Sequence, residues 1–124
     1  MSKPLRILVV EDDPDGQELV SAILAHLNIP IDVANDAEHA EELLFTAPNN
    51  YDGVVIDLML PGKDGWDLLN AIRAHETTAH LPCIAITAFH SSKIREQALV
   101  AGFKAYFPKP IDATSFSRTL EAIG

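Results

Sequence analysis

Cysteine, aromatic residues and positive charge are all scarce in this chain of 124 residues, and no long apolar run occurs in it. Cys83 is the single cysteine, so no internal disulfide can form and a reducing compartment fits. It lies inside an apolar strand pattern and reads as a small buried hydrophobe. Nine Lys and Arg face eighteen Asp and Glu, a formal net charge of −9, which excludes nucleic acid or an anionic membrane surface as a direct partner because both would be repelled. Lys3 and Arg6 precede Ile7-Leu8-Val9-Val10, but that stretch is far shorter than a signal-peptide core and ends in three acids. Nowhere do the roughly 18 consecutive apolar residues of a membrane span occur, and a cytoplasmic protein is expected. The five histidines, His26, His39, His75, His80 and His90, fall on different elements without metal-ligand spacing and read as surface residues.

What is present is a strongly apolar chain, 48% hydrophobic, of a size that buries about two-thirds of the surface its unfolded form exposes. Short apolar runs alternate five times with longer helical patterns, which predicts an α/β protein with helices wound about a parallel sheet. Strands are expected near 5–10, 30–34, 53–57, 81–87 and 104–107. The first helix takes Asp13 as N-cap and Pro14 at its first position, and buries Leu19, Val20, Ile23, Leu24 and Leu27. The second starts near Asn35 or Asp36 and buries Ala40, Leu43, Leu44 and Ala47. The third starts after Gly65 and buries Leu68, Leu69 and Ile72. The fourth runs from Ser91 or Ser92 to Ala101, with Gly102 as a left-handed cap, and the fifth from Asp112 to Ile123 through Phe116 and Leu120. The longest loop is placed at 47–52. No linker, repeat or second domain is visible, so residues 1–124 are read as one domain. Trp66 and Phe103 read as packing residues.

Polar groups collect where these strands end. Glu11 and Asp12 end the first, Asp57 ends Gly53-Val54-Val55-Ile56, Thr87 ends Ile84-Ala85-Ile86, and Lys109 stands between Pro108 and Pro110 just beyond the fifth. In open α/β sheets ligands bind outside the carboxyl ends of the strands. Three carboxylates brought to one crevice would repel one another, and a hard divalent cation such as Mg2+, which takes carboxylates, phosphate oxygen and water, relieves that repulsion. Asp13 is read as a helix cap only.

The strings Val9-Val10-Glu11-Asp12-Asp13 and Ile56-Asp57-Leu58-Met59-Leu60-Pro61-Gly62-Lys63-Asp64-Gly65, with the pairs Thr87-Ala88 and Lys109-Pro110, resemble the receiver domain of two-component response regulators. The resemblance spans about Leu5 to Ile123 and implies a flavodoxin-like (βα)5 fold with strand order 2-1-3-4-5. It implies Asp57 as phosphoacceptor and Asp12 and Asp57 as direct Mg2+ ligands. Glu11 would act mainly through water, with a further oxygen from the Met59 carbonyl. Lys109 would neutralise the phosphoryl oxygens and Thr87 would hydrogen-bond them. The Lys109-Pro110 bond would be cis, and Tyr106 would be the aromatic switch residue whose ring turns inward as Thr87 moves toward phosphate.

The function so implied is a signalling switch rather than an enzyme with a free substrate. Asp57 takes a phosphoryl group from the phosphohistidine of a sensor histidine kinase or histidine phosphotransfer protein, and the chain later hydrolyses it. The surface of helix 4, strand 5 and helix 5 would then act on a downstream protein target. Because the last element is helix 5, either a single-domain regulator or a receiver cut from a longer chain is expected. Two rivals differ in residues. A Mg2+-dependent phosphatase wants a general acid two residues after its aspartate, where this chain has Met59. A pseudo-receiver lacks an acid, the threonine or the lysine, and this chain has them all.

Overall fold

The computed structural model describes residues 5–45 and 51–123. Five strands, β1 (Ile7–Val10), β2 (Ile31–Ala34), β3 (Gly53–Asp57), β4 (Cys83–Thr87) and β5 (Ala105–Pro108), alternate with five helices, α1 (Pro14–His26), α2 (Ala37–Phe45), α3 (Gly65–Ala74), α4 (Ser92–Ala101) and α5 (Ala113–Ile123). All strand pairs are parallel, in the order β2-β1-β3-β4-β5, as the family resemblance implies. Every side chain of β1, β3 and β4 is buried, which is why those runs are apolar throughout rather than alternating: helices cover both faces of the sheet.

The two faces make two cores. Leu8, Val10, Val54, Ile56, Cys83 and Ala85 pack with Ala40 and Leu44 of α2, Leu68, Leu69 and Ile72 of α3 and Ala98 of α4. Ile7, Val9, Val55, Ile84 and Ile86 pack with Val20, Ile23 and Leu24 of α1 and with Phe116 and Leu120 of α5. Cys83 is wholly buried as expected, and burial pushes its thiol up to about 11. Leu19 departs from the expected apolar face: it is 41% exposed, one position outside the stripe formed by Val20, Ile23 and Leu24.

Local chemistry sets the helix starts. Asp13, Asp64 and Ser91 each cap a helix, accepting from the N–H of Asp15, Asp67 and Ile94 respectively. Asp36 accepts from His39 at 2.7 Å ahead of α2, and Asp112 from Thr114 at 3.1 Å ahead of α5. Helix α4 stops at Gly102, whose φ of 120° lies in positive-φ space where residues with a Cβ are strained. Strands β1, β2 and β4 are one or two residues shorter than expected at their amino ends, and β5 starts and ends one residue later. Ala47 and most of the 47–52 loop lie outside the described residues.

Candidate functional site

Strand register builds the site. Val10 pairs with Ile56, so Glu11 comes level with Asp57. Asp57 in turn pairs with Ile86, and Thr87 pairs with Pro108, so each next strand ends one step further on. Glu11, Asp57, Thr87 and Lys109 therefore meet along the carboxyl edge of the sheet, where strand order reverses between β1 and β3. The crevice between those two strands is the place this fold class reserves for ligands.

The two oxygens of Asp57 are held differently. Oδ1 accepts from the Met59 backbone N–H at 2.9 Å, and Oδ2 accepts from Lys109 Nζ at 2.8 Å. The same ammonium lies 2.5 Å from Glu11 Oε2, while Glu11 Oε1 accepts from Asp13 N–H at 3.1 Å. Asp57 and Glu11 are buried; Asp12 is exposed. One oxygen from each of Glu11, Asp12 and Asp57 falls within a 4.8 Å cluster.

These contacts fix the electrostatics. Burial, with the neighbouring Asp57 carboxylate, pushes Glu11 up to about 7 against the opposing pull of Lys109 and the Asp13 N–H. Burial acts to lower Lys109, but its hydrogen bonds to Asp57 and Glu11 outweigh that and its pKa rises. Lys109 is therefore a fixed positive charge facing three acids. Three carboxylates facing one ammonium leave negative charge in excess even with Glu11 partly protonated near neutral pH, and Glu11 Oε2, fully buried, meets the same Lys109 ammonium that Asp57 uses. Hard oxygen donors in excess of their counter-charge suit a small divalent cation, so the residues present fit Mg2+.

Backbone geometry supports this cluster. A Cβ on Gly65 would stand 2.6 Å from the Asp57 carbonyl oxygen and 2.8 Å from Leu58 Cα, so only glycine lets α3 begin against the end of β3. The Gly65 N–H returns to the Leu58 carbonyl at 3.2 Å, closing the turn that carries Met59. Lys109 N–H donates to the Thr87 carbonyl at 2.8 Å, and the Lys109-Pro110 bond is cis.

Thr87 and Met59 lie beside the cluster, and Tyr106 does not. Thr87 is 1% exposed and its Oγ1 accepts from the Phe89 N–H at 3.1 Å. Met59 is 54% exposed and Phe89 63%. Tyr106 is not in the crevice: its buried ring packs in the core on the α4 side, and its hydroxyl lies 3.0 Å from His90 Nδ1. His90 is exposed as expected of a surface histidine, yet the bond to Tyr106 gives it a role its spacing did not signal. Gln17 was also missed. Its Nε2 donates to the Glu11 carbonyl at 2.6 Å and to Asn35 Oδ1 at 2.8 Å, and only the β1–α1 geometry reveals it.

Residues 7–121 match the family described as response regulator receiver domain. This chain belongs to that family. It is 32% identical over 127 residues to chemotaxis protein CheY-3 of Vibrio cholerae, an alignment covering 99% of this chain and 94% of that one. Among solved structures it is similar to the receiver domain of Francisella response regulator 1452, with TM-score 0.86 and 29% identity over 98% of this chain and 96% of that one. The receiver domain of sensor histidine kinase PA1611 from Pseudomonas aeruginosa, solved with a magnesium ion coordinated in its active-site cleft, superposes with TM-score 0.85 at 32% identity, covering 97% of each chain. The chain is thus a receiver domain with an acidic pocket formed by Glu11, Asp12 and Asp57. No helix among the described residues is long and apolar enough to cross a membrane.

Proposed function

We propose that this receiver is a cytoplasmic phosphorylation switch, one domain over residues 1–124, in which Asp57 accepts a phosphoryl group from a partner phosphohistidine. The observation that carries the reading is the placement of Asp57: a buried carboxylate at a strand end, bonded to Lys109 and to the Met59 N–H, with two further acids beside it. A carboxylate oxygen of Asp57 forms the new O–P bond as the P–N bond breaks; its electron pair stays on the imidazole nitrogen, and the ring, protonated on its other nitrogen, leaves as neutral imidazole on the partner.

Phosphoryl transfer needs alignment and charge neutralisation more than covalent assistance. Lys109 supplies a permanent positive charge already seated on Asp57 Oδ2. The Thr87 oxygen uses a lone pair on the Phe89 N–H, which leaves its own hydrogen free to donate to a phosphoryl oxygen. Asp12 and Asp57 would hold Mg2+ directly, Glu11 through water and Met59 through its carbonyl; the ion would neutralise the acids and the incoming phosphoryl oxygens. Thr87 engaged in this way, beside a Tyr106 ring that is already buried in this structure, would alter the surface of α4, β5 and α5, through which a downstream protein responds. Intrinsic hydrolysis of the acyl phosphate resets the switch. The donor would be a sensor histidine kinase or a histidine phosphotransfer protein.

Incubation with acetyl phosphate and Mg2+ followed by intact-mass spectrometry tests the reading. A labile phosphoryl adduct in the wild type and none in Asp57→Asn is the expected result. It separates the proposal from a binding-only receiver, which acquires no adduct, and from a phosphatase, which turns the donor over without accumulating one. Equal labelling of wild type and Asp57→Asn would place the acceptor elsewhere.

A further inference from the structure

Glu11 carries one methylene more than an aspartate would, yet its side chain is wholly buried in a crevice it shares with Asp57. The room for that extra length comes from α1. A Cβ built on Gly16 would stand 2.6 Å from Glu11 Oε2 and 2.8 Å from Cδ, closer than non-bonded atoms tolerate, and 3.1 Å from Cγ, a tight contact.

The helix itself offers no reason for glycine at this position. Gly16 is inside α1 and is not among the residues with positive φ, which are Asn28, Gly62 and Gly102, so alanine would fit the backbone and favour the helix. Either side could yield only by giving up bonds it now makes. The Glu11 carboxylate is held by the Asp13 N–H and by Lys109. Helix α1 is held by buried Val20, Ile23 and Leu24 and by the Gln17 bond to the Glu11 carbonyl.

We propose that Gly16 is a positioning residue for Glu11: the hydrogen in place of its Cβ is the space in which the longer carboxylate folds against α1 and turns toward Asp57 and Lys109. An alanine there would drive the carboxylate off Lys109 and out of the acid cluster. An aspartate at position 11 would keep its carboxyl carbon at the 3.1 Å approach of the present Cγ but lose the 2.6 and 2.8 Å contacts of Oε2 and Cδ and could turn its oxygens aside, so the effect of Gly16→Ala should be smaller beside aspartate than beside glutamate. The inference rests on the reading of Glu11, Asp12 and Asp57 as a cation site only for its consequence, not for the contact.

Four proteins test it: wild type, Gly16→Ala, Glu11→Asp and the double variant, each melted in EDTA and titrated with Mg2+ by the shift in melting temperature. In EDTA, Gly16→Ala is expected to lower the midpoint by several degrees beside Glu11 and by clearly less beside Asp at 11, where the two tightest contacts are gone and the helix preference of alanine offsets the third. The Mg2+ dissociation constant is expected to weaken roughly tenfold in Gly16→Ala, the scale seen when groups supporting metal ligands are lost, and to return in the double variant to that of Glu11→Asp. A Gly16→Ala protein that does not fold, alongside a double variant that does, supports the proposal equally. The same effect of alanine in both backgrounds, including failure of both to fold, overturns the proposal. A larger loss beside Glu11 than beside Asp in EDTA, with a wild type indifferent to Mg2+, supports the contact and sinks the cation reading alone.

Discussion

Lys109 Nζ lies 2.8 Å from Asp57 Oδ2 and 2.5 Å from Glu11 Oε2, so a single ammonium joins the carboxyl ends of β1 and β3 to the end of β5. The acid cluster is therefore not bare in the absence of metal. One positive charge faces three acids, and the negative charge left over sets how the apo protein responds to losing any member.

Two substitutions should move stability in opposite directions. Lys109→Ala leaves three acids unneutralised, two of them buried, and should destabilise the apo protein by about 1–3 kcal/mol, below the range for a wholly buried pair broken on one side. Asp57→Asn removes one acid and leaves Lys109 with Glu11, so its melting temperature in EDTA should exceed that of wild type by a few degrees. Mg2+ should raise the midpoint most in Lys109→Ala and least in Asp57→Asn, since at one concentration the ligand stabilises most the folded form that binds it most tightly. Calorimetry in EDTA and in Mg2+ decides. An Asp57→Asn protein that melts below wild type in EDTA, or equal Mg2+ shifts in all three, would show that these side chains do not share one site.

The far end of the sheet offers a pH test separate from the site. Asp32 Oδ2 accepts from Arg6 Nη2 at 2.7 Å and from Tyr51 Oη at 2.6 Å, and the Arg6 hydrogen bond, followed by that of Tyr51, holds its carboxyl below the ordinary value. A lowered carboxylate stabilises the fold above its unfolded pKa, near 4, and that contribution is lost as pH falls through the lower folded value. Asp32→Asn should thus melt below wild type at pH 6, and the gap should close as pH drops beneath 4. A gap that stays constant down to pH 3 would remove Asp32 as its source.

Acyl phosphate lifetime is a third test. Met59 and Phe89 are both mostly exposed at the rim of the crevice, and neither side chain can orient a water toward phosphorus. Slow self-dephosphorylation is the expected outcome under the proposed function. Met59→Asn or Phe89→Glu should shorten the lifetime on the order of tenfold, because a polar group there can align water. Decay of labelled protein, followed by mass spectrometry after donor removal, measures it, and unchanged lifetimes in both variants would refute the argument.

Most of the architecture was legible in the residue pattern because each element carries its own signal. Asp13-Pro14 marks the start of α1, Gly102 the end of α4, and the unbroken apolar runs of β1, β3 and β4 mark strands buried on both faces. The strand-end acids were legible for the same reason: a charged residue closing an apolar run must sit at a rim. What stayed hidden depends on side chains meeting across the fold. Nothing in the spacing of Gly16 reveals that it makes room for Glu11, or that Gln17 braces the same loop. Leu19 looks like a core residue until the angular width of the α1 stripe is known. His90, sixteen residues from Tyr106, looks like any exposed histidine until β5 is laid beside β4.

That last pair yields a further expectation. The His90 Nδ1 to Tyr106 Oη bond, at 3.0 Å, spans from the segment between β4 and α4 to β5 and secures a ring that is 8% exposed. A side-chain hydrogen bond of this kind contributes about 0.5–1.5 kcal/mol net, so its loss should raise the population of outward ring conformers several-fold. Tyr51 and Tyr106 are the two tyrosines of the chain, and in a Tyr51→Phe background the ring resonances of Tyr106 stand alone in an NMR spectrum. His90→Ala should move them toward exposed shifts in the unphosphorylated protein. Both ring nitrogens matter differently, since only Nδ1 faces the hydroxyl, and asparagine, whose amide can reach the same position, should restore part of the effect. Identical Tyr106 resonances in wild type and His90→Ala would show that core packing alone holds the ring, and that His90 contributes nothing to the state from which the switch starts.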